Sequence, residues 1–160
     1  MSKPPFERVV AEHGPTVYRV VRAVTHAHDA EDAWSETFLA AVRAYPDLPA
    51  DANVEAWLVT IAHRKAIDVA RGNARRPAPV AALPDAPTGT GRPEDADPDL
   101  WRALKALPEK QRHAVAYHYL GGLPYKDIAQ ITGVTAAAAR RAAADGIRNL
   151  RRSYAEEMGK

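Results

Sequence analysis

Leu123-Pro124-Tyr125-Lys126-Asp127-Ile128-Ala129-Gln130-Ile131-Thr132-Gly133-Val134-Thr135, followed by an unbroken Ala/Arg-rich run to Arg152, has the order of signals that a helix-turn-helix requires. Small Ala129 lets two helices approach, and Gly133 supplies the positive φ of the turn. Val134 packs beneath that turn, and Thr135 is placed to cap the second helix. With Ala139 as origin and about 100° per residue, Ala143, Gly146, Ile147 and Leu150 fall within about 80° and point inward. Arg140, Arg141, Arg148, Arg151 and Arg152 fall on the other side. Five guanidinium groups on one helical face match a helix that enters a DNA groove, N-terminal positions near base edges and later arginines near phosphates.

Upstream of this motif, Asp97-Pro98 reads as N-cap and first residue of a helix carrying Leu100, Trp101, Leu104 and Leu107 on one side. Pro108-Glu109 opens another helix that ends at Gly121-Gly122. Between Pro77 and Asp99 the chain holds six Pro, five Ala, two Gly and five acids, and only Val80 and Leu83 as large aliphatics. Such a segment buries too little surface to offset its ordering entropy, which predicts a flexible acidic linker over 77–98.

The N-terminal part is helical by its periodicity. Phe6, Val9 and Val10 share a face of a first helix that Gly14-Pro15 is expected to interrupt, and Val17, Tyr18, Val20, Val21 and Val24 continue on a second. Asp29 is a candidate N-cap of the next helix, with Ala33, Trp34, Thr37, Phe38, Ala41, Val42 and Tyr45 inward. That leaves Asp32, Ser35, Glu36, Leu39 and Arg43 outward or on the flank. Asn53 can cap a long helix to about Arg71, whose core stripe is Val54, Leu58, Ile61, Ala62 and Val69. On another side Thr60, Arg64, Ile67 and Arg71 cluster with Trp57 at the border, the polar, cationic and aromatic mixture that binds single-stranded nucleic acid.

Composition narrows the function. The 160 residues, 46% hydrophobic and 26% charged, suit a globular chain, and no apolar run approaches the length of a membrane span. Met1-Ser2-Lys3-Pro4-Pro5 leads into an amphipathic segment without a secretion signal, so a cytoplasmic location and no membrane partner are expected. Zero Cys removes disulfide and thiolate-metal chemistry. His26 and His28 are two apart and His113 and His118 five apart, neither a one-face helical pair, so no metal and no cofactor are expected. With no phosphate-binding glycine loop and no His-Glu-x-x-His pattern, the chain is not expected to be an enzyme. Residues 1–76 carry ten basic and ten acidic side chains, 77–99 one and five, and 100–160 eleven and five, so the basic excess sits beside the helix-turn-helix.

Over about residues 6–76 and 98–152 the chain resembles the bacterial RNA polymerase sigma factors of the extracytoplasmic function (ECF) type, which have only regions 2 and 4 of the sigma-70 family. The resemblance rests on Asp29-Ala30-Glu31-Asp32-Ala33-Trp34-Ser35-Glu36-Thr37-Phe38-Leu39, on Ala56-Trp57-Leu58-Val59-Thr60-Ile61-Ala62 with Ala66-Ile67-Asp68, on Leu107-Pro108-Glu109-Lys110-Gln111-Arg112, and on Tyr119 to Ala129 with Gly133-Val134-Thr135. It implies an all-α protein of two small helical domains: 1–76 as region 2, 77–98 as flexible linker and 99–160 as the region 4 helix-turn-helix. It further implies that Asp32, Ser35, Glu36 and Leu39 dock on the clamp helices of the polymerase β′ subunit, with the β flap as a second contact. The Tyr45 to Asn53 loop with Asn53, Trp57, Thr60, His63, Arg64 and Arg71 would capture and melt the −10 element. Lys126, Thr135, Ala136, Ala137, Arg140, Arg141 and Arg148 would meet the −35 element. Core RNA polymerase and promoter DNA are the implied partners, and an anti-sigma factor is compatible.

The chain departs from the family pattern at Ser35, where Gln is usual, and at Ala136 to Ala138 and Ala142 to Ala144, where larger or polar side chains are usual. Asp145 and Gly146 are also unusual. An alanine-rich recognition helix makes few base-edge hydrogen bonds, so −35 recognition is expected to lean on phosphates and DNA shape. A helix-turn-helix regulator, or a sigma-like adaptor without promoter specificity of its own, remains an alternative from the residues alone.

Overall fold

The computed structural model describes residues 3–71 and 98–158. The chain divides into two compact units, each described by itself. Apart from Pro98, the linker expected over 77–98 lies outside the described residues. Among the described residues every regular element is helical, and no helix is long and apolar enough to cross a membrane.

The first unit holds α1 (Phe6–Val24), α2 (Ala27–Ala44), a 3-10 turn at Tyr45–Asp47 and α3 (Val54–Ala70). The break expected at Gly14-Pro15 does not occur, because α1 runs through Pro15. A mid-helix proline costs ~3 kcal/mol. Val9 and Val10 before it and Val17, Val20 and Val21 after it are all buried, at ~1.5–3 kcal/mol each, which outweighs that cost. The Trp34 indole donates to the Gly14 carbonyl at 2.9 Å, tying the proline turn to α2.

Asp29 is not an N-cap. Helix α2 begins earlier, after His26, and Asp29 sits in its first turn, where the helix dipole still favours an acid. Ala33, Trp34, Thr37, Phe38 and Ala41 are buried as expected, whereas Val42 is 40% exposed because it lies at the margin of the stripe, about 80° from Trp34. Asn53 caps α3 by accepting from the Ala56 amide at 3.1 Å. Packed against both α1 and α2, α3 is covered over a wider arc than its aliphatic stripe predicts, so that Val59, His63 and Ala66 are buried beside Leu58 and Ala62.

The second unit holds α4 (Pro98–Ala106), α5 (Glu109–Val115), a π-helical turn at Ala116–Leu120, α6 (Tyr125–Thr132) and α7 (Ala136–Met158). Trp101, Leu104 and Leu107 are buried on the predicted side of α4. The π turn is closed by the Gly121 amide donating to the Ala116 carbonyl at 2.9 Å. Gly146, a liability on helix propensity alone, has a packing reason: a Cβ there would sit 2.6 Å from Val115 Cγ2 and 3.3 Å from Gln111 Cβ. The missing side chain is what lets α5 and α7 come together.

Candidate nucleic-acid interface

In the second unit the helix-turn-helix has its expected geometry. Gly133 ends α6 in the left-handed region at φ 82°, its amide donating to the Ala129 carbonyl at 2.9 Å. Two residues on, Thr135 Oγ1 accepts from the Ala138 amide at 3.0 Å and starts α7. Ala139, Ala143 and Gly146 are buried, which anchors α7 by its small face. Arg140, Arg141, Arg148, Arg151 and Arg152 are all exposed, together with Lys126, Thr135 and Ala137, while Ala136 is half-buried.

The arginines are not equivalent. Arg148 Nη1 lies 3.2 Å from Asp145 Oδ1, an ion pair within one turn that offsets part of its charge. Arg140 instead places its guanidinium 5.3 Å from the centre of the Tyr125 ring, a cation–π geometry. Tyr125 is in turn stacked on His118 at 4.2 Å, and His118 Nδ1 is 2.8 Å from the Leu123 carbonyl oxygen. Partial burial, and then the neighbouring Tyr119 hydroxyl, push the Tyr125 phenol above its ordinary pKa, against the opposing pull of Arg140. In the sequence Tyr125 stands inside the helix-turn-helix stretch with no role of its own. The only signal was an aromatic three residues before buried Ile128 of α6, and its pairing with Arg140 exists only across the turn.

In the first unit, about 100° per residue places Asn53, Trp57, Thr60, Arg64 and Arg71 within about 60° on one side of α3. Arg64 and Arg71 are exposed, and Trp57 is half-buried with its ring 6.2 Å from that of Tyr45. Two of the group already have backbone partners: Asn53 caps α3, and the Thr60 hydroxyl donates to the Ala56 carbonyl at 2.7 Å. His63 does not belong to this face. It sits about 120° from Trp57 on the covered arc and is 9% exposed.

On α2, Asp32 is exposed and Ser35 and Glu36 are half-buried, Glu36 lying 3.9 Å from Lys65 of α3. Leu39 shares their angular sector but is only 8% exposed, so it is not an outward residue. A leucine gains ~2 kcal/mol by leaving water, which its polar neighbours do not. Among the described residues no group of three or more His, Asp or Glu side chains could hold a metal.

A sigma-70 region 2 family model matches residues 9–76, and a sigma-70 region 4 model matches residues 98–150. The chain is 31% identical over 156 residues to the RNA polymerase sigma factor CarQ of Myxococcus xanthus, covering 94% of this chain and 90% of that protein. It is 30% identical to the ECF RNA polymerase sigma factor SigE of Mycolicibacterium smegmatis, covering 94% of this chain and 62% of that protein. Among solved structures, it is similar to the sigma factor RpoE in complex with the anti-sigma factor NepR from Bartonella quintana, with TM-score 0.74, 21% identity and coverage of 93% and 96%. It is also similar to CnrH in complex with the cytosolic domain of CnrY, with TM-score 0.66, 22% identity and coverage of 91% and 84%.

Proposed function

From a chain that belongs to the sigma-70 family of RNA polymerase sigma factors, with region 2 and region 4 in order, we propose how its residues divide the work. The protein is an ECF-type sigma factor: it binds core RNA polymerase and directs promoter-specific initiation through the −35 and −10 elements. Sigma factors act by binding rather than by bond chemistry, and the finer assignments follow from that. Region 2 is 1–76, the linker 77–98 and region 4 is 99–160. Asp32, Ser35 and Glu36 meet the β′ clamp helices, while Leu39 supports that face from beneath. Trp57, Arg64 and Arg71 receive unstacked non-template bases and phosphates of the −10 element, with Asn53 and Thr60 holding the helix start. His63 contributes as a packed residue. Lys126, Arg140, Arg141 and Arg148 meet −35 phosphates, and Thr135, Ala136 and Ala137 line the approach to the groove.

The observation that carries this reading is the row of exposed arginines on α7, after a left-handed Gly133 and the N-cap Thr135. Few side chains at the start of α7 can hydrogen-bond a base edge, so −35 recognition rests on phosphates and groove shape. Melting uses binding energy: holding unstacked bases offsets the few kcal/mol of opening each step. An anti-sigma protein fits as a further partner, since the similar RpoE structure was solved with the anti-sigma factor NepR bound. Run-off transcription with purified core polymerase tests the reading. Specific transcripts are expected, and Arg140→Ala with Arg141→Ala should weaken binding almost equally across −35 sequences. Core binding without any specific transcript would favour the adaptor role, and duplex binding without polymerase would favour a simple regulator.

A further inference from the structure

The segment before α1 reaches across the first unit to the loop assigned to the −10 element. Lys3 Nζ lies 2.5 Å from the Tyr45 carbonyl oxygen, 2.9 Å from that of Leu48 and 3.3 Å from that of Pro46. An ammonium has three N–H donors and no acceptor, so three convergent carbonyls satisfy it fully. These carbonyls stand where α2 runs out into the 3-10 turn, the negative end of the helix dipole, where a cation is favoured. The same ammonium is 4.5 Å from the centre of the Tyr45 ring, and the Tyr45 hydroxyl donates to the Pro4 carbonyl. Phe6 closes the arrangement edge-on to Tyr45 at 5.3 Å, and the far neighbour of Tyr45 is Trp57.

The geometry points to Lys3 as a positioning residue for promoter melting: it clasps the turn at Tyr45–Asp47 and so presets the Leu48 to Asn53 loop and the Trp57 ring for the captured −10 strand. The loop is then held at both ends, by Lys3 where it begins and by the Asn53 cap where it finishes. Only Pro49, Ala50, Asp51 and Ala52 lie between, and the Ala52 amide donates to the Pro49 carbonyl at 3.1 Å. Small side chains in a fixed loop leave room for a base without a further ordering cost. Pro4 and Pro5 restrict the strap to a narrow range of φ, so few conformations are lost when Lys3 docks. This inference rests on the −10 assignment given above.

The test uses holoenzyme assembled from the full chain and core polymerase. The promoter is one selected by transcription from a pool randomised over both elements, with 2-aminopurine in the non-template −10 strand. Lys3→Ala should slow the fluorescence rise of strand opening about tenfold, the scale at which charge-assisted hydrogen bonds register. Affinity for core polymerase should be unchanged. Lys3→Arg should recover part of the rate, since its planar fork keeps the charge but does not match three convergent carbonyls. Arg64→Ala reports on the −10 face separately. Opening at the wild-type rate by Lys3→Ala, with Arg64→Ala slowed, overturns the clasp and spares the −10 assignment. Both variants opening at the wild-type rate overturns the assignment and the clasp with it. A Lys3→Ala chain that loses core affinity in proportion to its opening rate has lost fold rather than a positioned loop, and that also overturns the proposal.

Discussion

Gly146 and Tyr117 are two single residues whose environments make sharp predictions. Adding a methyl at Gly146 gains ~1 kcal/mol of helix propensity, but the new Cβ would lie 2.6 Å from Val115 Cγ2. Val115 is β-branched and stiff, so it cannot swing aside, and overpacking of this kind costs ~1–3 kcal/mol. Gly146→Ala should therefore lower the urea midpoint of the second unit, and Val115→Ala in the same chain should recover part of the loss. An unchanged or raised midpoint for Gly146→Ala would show that α5 and α7 separate freely. Tyr117 is fully buried, and that burial, with Glu109 adding and Arg112 opposing, holds its phenol far above the ordinary value. A raised folded-state pKa means that the folded unit keeps a proton which the unfolded chain releases near pH ~10. Stability from this group is complete below that pH and falls above it, by up to ~1.4 kcal/mol per pH unit. Urea titrations from pH 8 to 11.5, read with and without Tyr117→Phe, should differ in slope only above about pH 10.

Among the elements, α7 and α3 combine a cap, a buried face and an exposed basic or aromatic face, and only part of this was legible in the sequence. Thr135 was read as the cap of α7 and is one, as Asn53 is of α3. Thr135→Ala should cost ~1 kcal/mol, seen as a lower urea midpoint. It should also weaken −35 binding in proportion, because the base-proximal end of α7 frays first; DNA binding that stays at wild-type strength would separate the cap from the interface. Periodicity placed the arginine side of α7 correctly because its fully buried residues, Ala139, Ala143 and Gly146, lie within about 60° of one another even though α4, α5 and α6 all touch the helix. It misjudged α3, where contact with both α1 and α2 covers Val59 and His63 as well as the aliphatic stripe. The expected break at Pro15 failed for a related reason: a local rule about one missing N–H was outweighed by the burial of valines on both sides of it.

For the molecule as a whole, the uneven charge along the chain sets how it should respond to salt. The basic excess lies in residues 100–160, while residues 1–76 are balanced. Promoter binding should fall steeply as salt rises from about 50 to 200 mM, and each of Arg140→Ala and Arg141→Ala should reduce the logarithmic slope by about one. Arg148→Ala should reduce it less, because Asp145 already offsets that charge. Equal slopes for the three variants would mean that the Asp145 pair opens on DNA. Two helical units, the Gly133 turn, the caps at Asn53 and Thr135 and the basic side of α7 could be read from the chain alone, since each depends on side-chain chemistry and spacing within a few turns of helix. The tertiary structure alone decided which of several suitable side chains are covered where three helices meet, why α7 carries Gly146, how Tyr125 supports Arg140, and that Lys3 reaches carbonyls 42 to 45 residues away. Those outcomes depend on distances between segments remote in sequence, and periodicity along a single helix holds no information about its neighbours.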